Sequence, residues 1–142
     1  MYVIVSSCLL GKKCRYDGTS AMNSNVLKFL EGKNIITVCP EILCGLSTPR
    51  DSVEICNNKI IDCNGKDVDE LYRKGVALAV EQIYDLDIDM AILKSKSPTC
   101  GVNYVYDGAF SGKLVPGNGI FTAELLKKGI KVFDETLGGV NE

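Results

Sequence analysis

The stretch Tyr2-Val3-Ile4-Val5-Ser6-Ser7-Cys8 runs four apolar residues together before two serines and a thiol. An unbroken apolar run of this length, rather than an alternating one, is the pattern of a strand covered on both faces, as in a parallel α/β sheet. The pattern returns at Ile35–Val38, at residues 90–93 and at residues 130–133. Helical spacing fills the gaps. Val26, Phe29 and Leu30 share a face of residues 23–31, which Gly32 closes. Residues 67–84 place Leu71, Gly75, Leu78 and Gln82 on one stripe, with Val76, Ala79 and Ile83 beside it. Residues 119–128 read as a helix ended by Gly129. Strands alternating with helices predict an α/β fold: a three-layer, Rossmann-like sandwich with a mostly parallel sheet.

Val53–Cys56 and Lys59–Asp62, flanking Asn57-Asn58, read as a small inserted hairpin. Residues 40–50 read as a loop, since Pro40, Gly45 and Pro49 interrupt it. Residues 104–110 read as a short strand or turn around Asp107-Gly108. The length of 142 residues fits one domain, 1–142.

Apolar residues make up 46% and charged residues 24%, ordinary for a globular chain. A net charge of −2 argues against a broad nucleic-acid footprint, which would need a basic face. A local basic pocket for one small anion stays compatible with it. No apolar run approaches the roughly 20 residues that span a bilayer, so no membrane partner is expected. The first strand lacks the early Lys or Arg of a signal peptide. A cytoplasmic location is the expectation, and thiols stay reduced there. Seven cysteines, an odd number, also speak against a full disulfide framework. Histidine is absent. Any metal must then use Cys or carboxylate ligands, and any acid–base step must use other side chains.

Three cysteines stand at equivalent places. Cys8 follows the first strand, Cys39 the second, and Cys100 lies in the loop after the third. They are 31 and 61 positions apart, yet a parallel sheet carries all three to its carboxyl edge, where ligands bind in open α/β folds. The plain alternative is three small buried hydrophobes. Three thiolates without histidine suit soft metals: an iron–sulfur cluster, zinc or copper(I). The lack of any Cys-x-x-Cys weakens structural zinc. A cubane cluster held by three thiolates leaves one iron open as a Lewis acid. Cys56 and Cys63 read as packing residues of the hairpin. Cys14 and Cys44, close to the predicted edge, read as a spare ligand or a redox-active thiol.

Other side chains fall on the same loops. Glu41 lies two positions after Cys39 and offers a general acid or base, or simply a solvated carboxylate. Ser97, in Lys94-Ser95-Lys96-Ser97-Pro98-Thr99-Cys100, offers a hydroxyl for proton transfer, or a local turn before Pro98. Arg15 and Asp17 follow the first thiol and could grip a small planar ligand, with Arg50 as a second cation. An Asp17–Arg50 ion pair is the structural alternative. Gly117-Asn118-Gly119 reads first as a turn, with an anion site at the following helix as the other reading.

Taken together, Ser7-Cys8-Leu9-Leu10-Gly11 with Arg15-Tyr16-Asp17-Gly18, Cys39-Pro40-Glu41 with Gly45-Leu46 and Thr48-Pro49-Arg50, and Leu93-Lys94 with Ser97-Pro98-Thr99-Cys100-Gly101 resemble the thiouracil desulfidase family. Tyr106-Asp107-Gly108, Phe110-Ser111-Gly112 and the Gly117/Gly119 pair extend the resemblance over essentially the whole chain. It implies a 4Fe–4S enzyme that converts 2- or 4-thiouracil and water to uracil and hydrogen sulfide. It implies Cys8, Cys39 and Cys100 as cluster ligands, Glu41 and Ser97 as catalytic residues, and a cluster delivered by iron–sulfur assembly machinery. Cys44 stands where the family's Gly-Gly-Leu stretch has glycine, which leaves it as a rival to Cys39. Two alternatives stand beside this reading: desulfuration of thiouridine in nucleosides or tRNA, and a non-catalytic carrier of a cluster or of sulfur.

Overall fold

The computed structural model describes residues 1–139. Its elements in chain order are β1 (Tyr2–Ser6), a single 3-10 turn (Ser7–Leu10), α1 (Ser24–Phe29), β2 (Ile35–Val38), α2 (Pro40–Leu43), β3 (Val53–Cys56), β4 (Lys59–Asp62), α3 (Asp69–Ile83), β5 (Ile88–Ile92), β6 (Tyr104–Tyr106), β7 (Leu114–Pro116), α4 (Ile120–Lys127) and β8 (Lys131–Phe133). The four apolar runs form one sheet in the order β2-β1-β5-β8, parallel throughout. Two antiparallel pairs, β3-β4 and β6-β7, stand apart from it.

Alternation along the strands sorts the core into two layers. Val3, Val5 and Ile92 pack with Leu9, Val26 and Leu30 beneath α1. Ile4, Val38, Ala91 and Leu93 pack with Val76, Ala79 and Ile83 of α3 and with Phe121 and Leu125 of α4. Helices therefore cover both faces, which is the three-layer α/β sandwich expected from the uninterrupted strands.

Three local details depart from the expectation. Pro40 starts a helical turn instead of a loop, because proline at the first helical position forgoes a hydrogen bond that position lacks anyway. The buried stripe of α3 is Tyr72, Gly75, Val76, Ala79 and Ile83, one step round from the expected one, and Leu71 and Gln82 face outward. Gly75, common to both stripes, marks the closest approach: a Cβ there would stand 2.0 Å from the Pro40 carbonyl oxygen, so α2 rests directly on the α3 backbone. Finally, Tyr104–Tyr106 gains a partner in Leu114–Pro116, three residues too short to show a period. Asn57 and Asn58, with φ of 50° and 64°, close the β3-β4 hairpin through the primed turn that its two-residue loop favours.

Chain order reverses at β1, whose neighbours are β2 on one side and β5 on the other. The carboxyl ends of those strands meet at this switch point, where an open α/β sheet forms its crevice.

Candidate active site

A cavity of about 660 Å³ opens at this edge, within the usual size for a small-molecule site. The ends of β1, β2 and β5 supply Cys8, Cys39 and Cys100 to its lining. Cys14 joins them. Its thiol interacts with those of Cys39 and Cys8, and it is 3% exposed. Burial pushes the Cys100 thiol up from its usual range, against a hydrogen bond from Ser6. The bond with Cys14 and then burial push Cys39 up. For Cys14 the bond with Cys39 pulls down, but the bond with Cys8 and burial outweigh it. Cys14, Cys39 and Cys100 thus hold their protons near neutrality, so a soft metal entering here would displace protons.

Cys39 and Cys44 lie in different surroundings. Cys39 meets Cys14 at the cavity. Cys44, just past the end of α2, directs its Sγ to the Glu41 carbonyl oxygen at 3.1 Å and does not line the cavity. Cys63, read as a packing residue, is exposed on the cavity rim.

Among the described residues, no three Cys, Asp or Glu side chains stand close enough to bind one metal ion. Zinc–thiolate bonds of ~2.3 Å would bring sulfurs within about 4.6 Å of one another. A polynuclear cluster binds each thiolate through a different metal atom and tolerates a wider frame. The donor chemistry, all thiol and no imidazole, fits an iron–sulfur cluster.

Glu41 sits on α2 with both carboxylate oxygens engaged. Oε2 pairs with Arg50 Nη2, and Oε1 accepts the Thr99 hydroxyl at 3.0 Å. Arg50 is a hub. Its side chain is 7% exposed and also donates to the Cys14 and Ser47 carbonyls at 3.0 and 3.2 Å. Its own amide donates to the Tyr16 carbonyl at 2.6 Å, and its side chain meets Tyr72 of α3. Burial, then the Glu41 charge, pushes the Tyr72 hydroxyl up. The sequence offered Asp17 as the ion-pair partner of Arg50, but local chemistry takes Asp17 elsewhere: it accepts from the Thr19 amide and hydroxyl at 3.1 and 2.6 Å. Thr19 in turn receives Arg15 Nη1 at 3.4 Å. Arg15 lines the cavity, while Asp17 is exposed and braces it through Thr19.

Ser97 lines the cavity, and its Oγ accepts the Thr99 and Cys100 amides, each at 3.1 Å. The local turn and a reactive role are compatible, because the accepting oxygen leaves the hydroxyl proton free to be donated. The anion reading of Gly117-Asn118-Gly119 fails on hydrogen bonds. The first amides of α4, from Ile120, Phe121 and Thr122, donate to the carbonyls of Pro98 and Thr99. Those bonds brace the loop carrying Ser97 and Cys100. Thr99 and Tyr72 are additions to the residues expected from sequence. Thr99 carries a signal in the sequence, its hydroxyl beside Cys100 in the motif, whereas Tyr72 gives none beyond its place in a helix.

A family model described as 2-thiouracil desulfurase matches residues 3–136. The chain belongs to the 2-thiouracil desulfurase family. That places it among enzymes that break carbon–sulfur bonds. YbbK of Bacillus subtilis (strain 168), described as uncharacterized, is 38% identical over 143 residues, covering 94% of this chain and 95% of its own. Among solved structures, the [4Fe–4S]-dependent thiouracil desulfidase TudS superimposes with a TM-score of 0.87 at 40% identity, covering 95% of this chain and 91% of its own. Among the described residues, no helix is long and apolar enough to cross a membrane.

Proposed function

We propose that this chain, as one domain of residues 1–142, hydrolyses thiouracil to uracil and hydrogen sulfide with the aid of a 4Fe–4S cluster held by Cys8, Cys39 and Cys100. The observation that carries the reading is the convergence of three strand-end thiols on one cavity that Glu41 and Ser97 also line. Cluster iron without a fourth protein ligand supplies a Lewis acid with an affinity for sulfur, which favours a thione over uracil itself.

The rest of the chemistry falls to side chains. Glu41 takes a proton from the attacking water, and its clamp between Arg50 and Thr99 fixes the direction from which it does so. Ser97 directs its free hydroxyl proton toward the substrate while its oxygen is anchored on two amides. Arg15 presents a cation to the polar edge of the ring. Arg50, which the sequence offers as a substrate contact, acts instead by holding Glu41. Water adds one oxygen and two hydrogens, and hydrogen sulfide carries the sulfur away, so no electron donor is needed. The net charge of −2 favours a free base or nucleoside over thiolated tRNA. A cytoplasmic setting would keep the thiols reduced for cluster delivery.

Cys14 favours one competing reading. A fourth thiol beside Cys8 and Cys39 completes a four-cysteine set, as in a non-catalytic cluster carrier. Anaerobic reconstitution followed by addition of 2- or 4-thiouracil separates the two. Loss of thione absorbance that disappears in Cys8→Ala supports the enzyme. A fully loaded protein that leaves both thiouracils untouched, and whose spectrum ignores added sulfide, supports the carrier.

A further inference from the structure

Glu54 is a buried carboxylate, 8% exposed, with no part in the chemistry above. It belongs to β3, and its Oε1 accepts the amides of Gly108 at 3.0 Å and Phe110 at 3.2 Å, more than fifty residues away. Burying a carboxylate is unfavourable unless its hydrogen bonds are restored, so this position is built around those two amides. The approach is close as well: a Cβ on Gly108 would stand 2.6 Å from the Ile55 carbonyl oxygen. The turn between β6 and β7 is thus pressed onto the β3-β4 hairpin and hooked there.

At the end of the hook sits Phe110. Its φ is +56°, a left-handed conformation that asparagine tolerates and a bulky aromatic ordinarily avoids. It is also among the exposed large hydrophobic residues, at 37%, although it lines the cavity that holds the thiols, Glu41 and Ser97. A disfavoured backbone, a buried anchor and an exposed ring have no common account in packing. They share one in recognition.

We infer that Phe110 is the stacking face for the planar pyrimidine ring, and that Glu54 is the positioning residue that holds Phe110 over the cavity. The inference rests on the desulfidase reading of the site and adds a specificity element to it. Every base has a π-face, so an aromatic ring at the cavity grips thionucleobases in general, while the sulfur-seeking groups select among them.

The test uses cluster-loaded protein under anaerobic conditions, with KM and kcat for 2-thiouracil, calorimetric binding of uracil, and labile iron and sulfide per chain as readouts. Phe110→Ala should raise KM and weaken uracil binding by about 5- to 100-fold, the range that base stacking spans, with iron and sulfide unchanged. Phe110→Leu, which keeps apolar bulk without a ring, should lose as much, and Phe110→Trp should retain binding. Glu54→Ala should reproduce the loss. Glu54→Gln should recover most of it, because one side-chain oxygen accepts both amides. In a Phe110→Ala background Glu54→Ala should add nothing to KM. Turnover by wild type with KM and uracil affinity within two-fold of wild type in Phe110→Ala and Phe110→Leu overturns the stacking assignment alone. Additive effects of the two alanine variants overturn the role of Glu54. A wild-type protein with a full iron and sulfide load that neither converts 2-thiouracil nor binds uracil overturns the desulfidase reading, and this inference with it.

Discussion

The cavity joins two regions of different construction. Along the sheet edge, Cys8, Cys39, Glu41, Ser97 and Cys100 are rooted in β1, β2, α2 and the loop after β5, on a sheet with helices over both faces. Their polar contacts are buried and cross long stretches of sequence, as in Glu41 with Arg50 and Thr99. The hairpin region is made of two-stranded ribbons of three or four residues per strand, a size marginal on its own. Glu54 ties the two ribbons together, and Ile60, with Val53 and Ile55, packs the β3-β4 ribbon against the core. The groups proposed to act on the substrate sit on the sheet edge, and groups that shape the opening sit on the ribbons, where small sequence changes can retune them.

Substitutions can break that contrast. The largest effect is expected at Arg50. Arg50→Met leaves the Glu41 carboxylate without its cation and two carbonyls without a donor, at a cost of about 3 kcal/mol. Urea unfolding should show it, with turnover falling by roughly 100-fold if the Glu41 clamp matters to proton transfer. An Arg50→Met protein no less stable than Glu54→Ala would erase the distinction between the two regions.

Gly75→Ala comes next. The added methyl meets the Pro40 carbonyl, so α2 must shift and carry Cys39 and Glu41 with it. A loss of about 2 kcal/mol is expected, together with a fall in kcat that persists at temperatures where the protein remains folded. Full activity in a destabilised Gly75→Ala protein would mean that the placement of α2 is not limiting.

Ser97→Ala removes the acceptor of two amides and should cost about 1 kcal/mol in thermal unfolding. Its kcat should fall much further than its stability does, while Ser97→Thr keeps the acceptor and recovers stability. Equal losses in both measures would assign Ser97 a structural role only.

Asp17 marks the small end. Its two bonds with Thr19, and then Arg15, hold its carboxyl below the usual value of 3.8. The contribution is therefore complete above that unfolded-state value and is lost as pH falls through the lower folded one. Asp17→Asn should unfold within a degree or two of wild type near neutrality, and the two should converge in acid. A change in KM beyond two- or three-fold would give Asp17 a direct contact with the ligand.

Much of the sheet was legible because a short unbroken apolar run between turn residues suits little besides a strand covered on both faces. The thiols could be placed as soon as those runs were ordered. The ion pair was not legible. Asp17 and Arg50 looked complementary as charges, yet Thr19 lies two residues from Asp17 and satisfies it locally, leaving Arg50 for Glu41. Residues 40–43 read as a loop because proline marks both the interruption of helices and their beginning. Cys39 and Cys44 stand at opposite ends of one helical turn in different surroundings, and a spacing of five residues does not show that. Glu54 was silent for a simpler reason. Its partners are backbone amides, which every residue but proline carries.

Arg50 has one more consequence. It joins the backbone at residues 14, 16 and 47 to the side chains of Glu41 and Tyr72, so three stretches, around residues 14–16, 41–50 and 72, share one guanidinium group and one amide. Local fluctuations there cannot proceed one segment at a time. In native-state hydrogen exchange the Arg50 amide and the amides around residues 14 and 41–46 should open as a single cooperative unit, with one shared opening free energy. The exposed Asn57-Asn58 tip of the β3-β4 hairpin should exchange well before it.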